Sequence, residues 1–310
     1  MLRAVVAAAL VAASGCSRDT PAPPSPPFDP VAHAAAVDAW RAKHDTDYRR
    51  DWVSIAALHM LEPGDNTAGS APGNAIVLPA PVPPKLGTFV LAKEIVRFVP
   101  APGSSRGALA KGDAPALLKG EPITGEVVLQ DGDKSAGEIT VGDVRLVVHV
   151  TGDRRAIRVR DPNGPLAKGF LGFTWFPIDP QYRVVGRFIR DAEPKSMKVP
   201  NTFGDEDAYT TEGVVEFTLL GQTLRLRPFT TRPKRFYFVF SDTSAGVETY
   251  KTARFLYADL LDDGTAVLDF NQAYNPPCAF NPYTTCPIPL KENRLPIKIL
   301  AGERAYPDRK

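Results

Sequence analysis

From Ala75 onward, apolar and polar residues alternate with a period of two. The stretches NAIVLP, GTFVLAKEIVRFVP, ITGEVVLQDGDKSAGEITVGDVRLVVHVTGDRRAIRVRD, YRVVGRFIRD, GVVEFTLLGQTLRLRPF and KRFYFVFSD are short runs rich in β-branched and aromatic residues, the pattern of strands with one buried face. Asp131-Gly132, Gly142-Asp143, Gly152-Asp153 and Gly221-Gln222 stand where hairpins turn. LLDDGTAVLDF adds another hairpin and PIKILAG a last strand. Many short strands joined by tight turns predict a mainly β fold, an antiparallel β-sandwich or barrel-like domain. Ahead of the strands the period is helical. In DPVAHAAAVDAWRAKH, Asp29 is a capping residue, Pro30 takes the first helical position, and Val31, Ala35 and Ala39, with Val37 and Trp40, recur at helical spacing. The segment RRDWVSIAALHMLEPGDN either continues this N-terminal helix or begins a new helix or strand, and the pattern leaves both open. DPNGPLAKGFLGFTWFPIDPQ, residues 161–181, interrupts the alternation and is where two layers or two sub-domains would divide. No internal repeat is evident.

One stretch fits neither period. DFNQAYNPPCAFNPYTTCPIPLKENRLP, residues 269–296, contains Pro276, Pro277, Pro282, Pro287, Pro289 and Pro296. Proline fixes its own φ and lacks an amide donor, so this is a long irregular C-terminal loop with a rigid path. Phe270, Tyr274, Phe280 and Tyr283 are too many rings for a solvated tail.

The N-terminus changes the picture of where the chain works. Arg3, the apolar run Ala4 to Ala13, and Ser14-Gly15 before Cys16 form a secretion signal too short to span a bilayer. It resembles a bacterial lipoprotein signal, residues 1–15, with Cys16 receiving the lipid; Ala13 stands where such signals usually carry Leu. Residues 16–30 then form a Pro-rich tether, and residues 31–310 a single β-rich domain. The lipoprotein resemblance implies a bacterial cell-envelope location on the periplasmic face, and Ser17 favours the outer membrane by analogy with sorting rules. No other segment is long and apolar enough to cross a membrane.

Composition narrows the function classes. A hydrophobic fraction of 44% and a charged fraction of 23% are those of a chain with a sizeable core. With 37 basic and 35 acidic residues evenly mixed, no nucleic-acid partner is expected. With Cys16 lipidated, Cys278 and Cys286 remain in an oxidising compartment and are candidates for a disulfide. Its short loop would constrain the unfolded chain by about 2.5 kcal/mol.

Several motifs dissolve on inspection. GSSRG, residues 103–107, has the Gly-x-Ser-x-Gly spacing of serine hydrolases, but it lacks the strand-turn-helix context, and the histidine that follows it, His149, sits within a strand. His33, His44, His59 and His149 show no metal-pair spacing, and Cys278 and Cys286 lie too far apart for a zinc knuckle, so no metal is expected. DGDKSAGE and DLLDDGT lack the ligand spacing of a calcium loop and read as hairpin turns. Nothing names a cofactor.

The richest constellation is C-terminal. SDTSAGVETYKTARFLY brings Asp242, Thr243, Thr249, Tyr250 and Arg254 close before Asp269, Asn271, Asn275, Thr285, Glu292, Asn293 and Arg294. Such a mixture beside aromatic loops suits a ligand pocket. It equally suits a loop whose unpaired backbone groups must be satisfied by side chains. These residues, with HMLEPGDNTAGSAPGNAIVLP upstream, resemble the bacterial family known as domain of unknown function 1684, whose hallmark stretches map to Asp269, Asn271, Tyr274, Asn275, Pro276, Pro277, Cys278, Thr285, Cys286, Asn293 and Arg294. The resemblance brings no activity with it.

The expectation is therefore a lipid-anchored envelope protein that binds a small molecule or envelope component through residues 242–296. Arg254 and Arg294 would pair with anionic groups, Asn271 and Asn275 would donate hydrogen bonds, and Tyr274 and Tyr283 would wall the cavity beside Tyr250 and Asn293. In that reading Arg254→Ala abolishes binding and leaves the fold nearly intact. The alternatives are a hydrolase with Asp269 or Asp242 as general base, helped by Asn271 or Arg254, and a structural scaffold without a pocket.

Overall fold

The computed structural model describes residues 28–103 and 114–307. The expected secretion signal, Cys16, the expected tether as far as Pro27 and residues 104–107 of GSSRG lie outside the described residues.

The alternating segments form strands, almost all antiparallel, and among the described residues no sheet closes into a barrel. Before residue 161, two six-stranded sheets face each other. Their inward residues, among them Phe89, Phe98, Ile139, Val144 and Ile157, make one core. Gly142 and Gly152 turn their hairpins at φ 58° and 55°, backbone that glycine adopts without a Cβ clash. The open choice after the helix resolves both ways: Arg49–Val53 continues it as a π-helical turn, and Ile55–Met60 is a strand that pairs antiparallel with Arg154–Arg160.

After residue 181, a four-stranded sheet packs on a three-stranded one. The long hairpin of Arg183–Pro200 and Glu206–Leu219 dominates the first, and Phe229–Arg232, Arg235–Phe240 and Arg254–Asp259 make the second. Phe217, Phe236, Phe238, Phe240 and Leu268 fill the space between them. Alternation sends Tyr237, Val239 and Phe255 to the opposite face of the three-stranded sheet.

That face is covered by the N-terminal helix, α1 (Pro30–Tyr48). The helix starts as expected, with the Asp29 carboxylate accepting from the amides of Val31 and Ala32 and Pro30 in the first turn. Its docked face holds Val37 and Trp40 as expected and otherwise differs from expectation. Val31 is 79% exposed, and Ala35 and Ala39 are exposed too. The face that packs carries His33, Val37, Trp40, Arg41, His44 and Tyr48, where aromatic and polar side chains meet aromatic partners. A stripe of small alanines gains little by burial, and burying the rings of Trp40 and Tyr48 gains far more.

The loop is irregular, as its prolines require, with single 3-10 turns at Phe270–Gln272, Pro277–Ala279 and Lys291–Asn293. Cys278 and Cys286 are neighbours but free thiols, not the expected bridge: the Cys278 amide donates to the Cys286 Sγ at 3.4 Å.

Candidate functional site

Helical spacing aligns His33, Val37, Arg41, His44 and Tyr48 along one side of α1, and three of them meet the loop in order. His33 Nε2 lies 2.7 Å from Asp269 Oδ2. Arg41 donates to the carbonyls of Asn271 (3.3 Å) and Phe176 (3.2 Å), and the Tyr48 hydroxyl donates to the Asn275 carbonyl (3.1 Å). Burial lowers the Arg41 pKa, against the pull of Asp38 and Asp269. The helix is thereby laid along DFNQAYN.

At the first of these contacts a cavity of about 520 Å³ opens beneath the start of α1, a volume suited to a small organic ligand. Its walls come from four parts of the chain: Phe28 and His33 from the helix start, Arg183 from the first strand of the long hairpin, Arg235 and Tyr257 from the three-stranded sheet, and Asp269 from the loop entrance. Each arginine lies over a ring, Arg183 5.4 Å from the centroid of Phe28 and Arg235 5.0 Å from that of Tyr257.

The charges are not equally committed. Arg235 pairs with Asp259 at 2.8 Å, and Asp29 caps α1. Asp269 Oδ1 accepts from the Asn271 amide (3.1 Å) and side chain (2.9 Å), while Oδ2 meets His33 and, at 3.5 Å, Gln272. Arg183 has no carboxylate within ion-pair distance among the described residues. A planar guanidinium with uncommitted donors is suited to bidentate recognition of a carboxylate or phosphate. His33 Nε2 faces Asp269 Oδ2, and His33 Nδ1 is buried and has no hydrogen-bond partner among the described residues.

Most of the residues singled out by sequence are placed elsewhere. Asn271, Asn275 and Asn293 are fully buried. Asn271 spans the backbone of Asp179 at both its amide and its carbonyl, Asn293 does the same for Arg227, and Asn275 binds Glu303 and the Arg304 carbonyl. Arg254 and Asp242 form an ion pair of 2.5 Å with side chains 1% and 0% exposed. Tyr274 packs edge-on against Tyr48 and Phe255, and Tyr250 touches the Cys278 carbonyl at 3.4 Å. Tyr283 is half-buried and Arg294 exposed, and neither lines the cavity. The expected pocket of Arg254, Asn271, Asn275 and Tyr274 is thus corrected: Tyr274 packs among rings, and Arg254, Asn271 and Asn275 satisfy backbone groups of Asp179 and of the segment from Ile299 to Arg304, because a buried amide or carbonyl needs a partner and no sheet ladder supplies one there. Neither proposed general base fits its role either. Asp242 is sealed against Arg254, and both oxygens of Asp269 are occupied.

Asp269 alone of the candidate residues lines the cavity. Its companions Phe28, His33, Arg183, Arg235 and Tyr257 were missed. His33 is separated from Asp269 by 236 residues, and no local pattern signals such a pairing. Arg183 lies directly opposite Asp269 in strand register, a cross-strand neighbour that could be found only once those two strands were paired.

A family model described as "Protein of unknown function (DUF1684)" matches residues 168–304. The solution NMR structure of an uncharacterized protein from Haloarcula marismortui is 30% identical, with 46% of this chain and 82% of that one covered at a TM-score of 0.39. No curated protein matches the chain.

Proposed function

We propose, for a chain that belongs to the DUF1684 family of proteins of unknown function, that it holds a small organic anion in the cavity beneath α1 while a lipid on Cys16 anchors it to the cell envelope at the periplasmic face. The observation that carries the binding reading is Arg183, a guanidinium without a carboxylate partner among the described residues, which lies over the ring of Phe28 in a cavity of about 520 Å³ that Asp269 and His33 also line. Arg183 pairs with the anionic group, and Phe28 and Tyr257 cover the apolar body of the ligand. The presence of the cavity favours this reading over a bare scaffold.

Titration with benzoate and phenyl phosphate, followed by calorimetry, tests the cavity. Either anion is expected to bind, and Arg183→Ala to weaken that binding at least tenfold while melting within about 2 °C of the wild type, since the side chain is partly exposed and makes no ion pair among the described residues. Equal binding by the variant, or no binding of either anion by the wild type, sinks the reading. The anchor has its own test: Cys16→Ser is expected to move the protein from the membrane fraction to the soluble fraction and to abolish incorporation of labelled palmitate. Unchanged fractionation rejects the lipid.

A further inference from the structure

Two thiols that the cavity does not use are held together deeper in the loop. Cys286 is 1% exposed within the aromatic core. Its backbone is fixed from both sides by Thr202, whose hydroxyl accepts from the Cys286 amide at 3.1 Å and whose amide donates to the Cys286 carbonyl at 3.0 Å. Cys278 is only half-buried, and the Tyr250 hydroxyl lies 3.8 Å from its Sγ. The intervening loop is pinned, with the Asn281 side chain donating to the carbonyls of Trp52 (3.1 Å) and Ile55 (2.8 Å) and the Thr284 hydroxyl donating to the Asn281 carbonyl (2.9 Å). One cysteine is partly exposed, the other is buried beside it, and hydrogen bonds pin the loop between them.

We propose that Cys278 and Cys286 form a thiol-disulfide exchange site for small organic disulfides, with Cys278 Sγ as the attacking sulfur and Cys286 Sγ as the resolving one. The Cys278 thiolate attacks one sulfur of the disulfide, a new S–S bond forms, and the first half of the substrate leaves as a thiolate that takes up a proton. Cys286 then loses its proton and attacks Cys278 Sγ, so that the second half leaves as a thiol. The protein dithiol is oxidised to a disulfide, and one substrate disulfide is reduced to two thiols. The electrostatics agree with this order. The hydrogen bond with Cys286, followed by that from Tyr250, holds the Cys278 thiol below its ordinary value against desolvation, and burial pushes Cys286 up. A thiol with lowered pKa and access to solvent is the better nucleophile near neutral pH. The site is independent of the anion cavity and stands or falls separately from it.

The experiment uses the full chain in a Cys16→Ser background, so that two thiols remain, reduced and then freed of reductant. It is exposed to glutathione disulfide, quenched in acid and weighed by mass spectrometry. The parent protein is expected to end as an internal disulfide with two glutathiones released, Cys286→Ser to accumulate one glutathione on Cys278, and Cys278→Ser to react at least tenfold more slowly. Limiting N-ethylmaleimide on the parent protein reads the same order without a substitution in the core, and is expected to label Cys278 first. Equal rates for the two single variants, preferential labelling of Cys286, or no reaction of the folded protein while both thiols react in denaturant would overturn the proposal.

Discussion

Arg254→Ala is expected to destabilise the protein by about 3–5 kcal/mol, the usual cost of removing one partner from a buried ion pair. The guanidinium is 1% exposed, donates to Asp242 Oδ2 at 2.5 Å and to the carbonyls of Ala301 (2.7 Å) and Ile299 (3.2 Å), and lies 5.0 Å from the ring centroid of Phe240. Asp242 Oδ1 accepts at the same time from the amide and hydroxyl of Ser244 and from the Ile299 amide. The pair thus ties the end of one core strand to the last segment of the chain. Alanine leaves a buried carboxylate without its counter-charge, two carbonyls without donors and a void where the side chain lay. At about 2–4 °C per kcal/mol for a chain of this size, the melting temperature falls by roughly 6–20 °C. Scanning calorimetry beside Arg183→Ala decides the matter. If Arg254→Ala melts with the wild type and loses anion binding instead, Arg254 belongs to a ligand site after all.

The expected destabilisation reverses what the sequence suggests about Arg254, and the reason is general to the polar residues of this region. Strand positions were legible because alternation is local, and the helix start was legible because Asp29 and Pro30 act on the turn beside them. The rigid, irregular course of residues 269–296 followed from its prolines alone. The fate of each polar residue did not. Whether an asparagine faces a ligand or a carbonyl depends on what the fold brings opposite, and here the partners lie 92 residues away for Asn271 and 66 for Asn293. Beyond Val37 and Trp40, the packed face of α1 was hidden for a related reason. His33, Arg41 and His44 interrupt its apolar pattern, yet their polarity is what meets Asp269, the Asn271 carbonyl and the surrounding rings. The cavity gathers residues from four segments, so only the folded chain displays it.

Glu303 is expected to make the protein lose stability as the pH rises from about 5 to about 8. It is 1% exposed, with Oε2 accepting from the Asn275 amide and Oε1 from the Asn275 side chain, both at 2.8 Å. Burial pushes its pKa up from the ordinary 4.5 to about 8, against the pull of those hydrogen bonds and of Arg254. Between those values the folded state holds a proton that the unfolded chain has released, so unfolding becomes more favourable with each step in pH. The stabilisation is full below about 4.5 and gone above about 8, and over that range it amounts to a few kcal/mol in order of magnitude. His44 and His149 act in the opposite sense at lower pH. Burial lowers both from 6.5 to about 4, so each costs stability as the pH falls through that interval, and neither contributes above about 6.5. The window from 6.5 to 8 therefore isolates Glu303 from the histidines. Glu303→Gln cannot titrate, and its amide sets a donor against one of the Asn275 donors, so one hydrogen bond is lost at every pH. Its stability curve is expected to start below that of the wild type near pH 5 and to cross it before pH 8.5, as measured by urea unfolding at several pH values. Two parallel curves would show that Glu303 does not carry the proton.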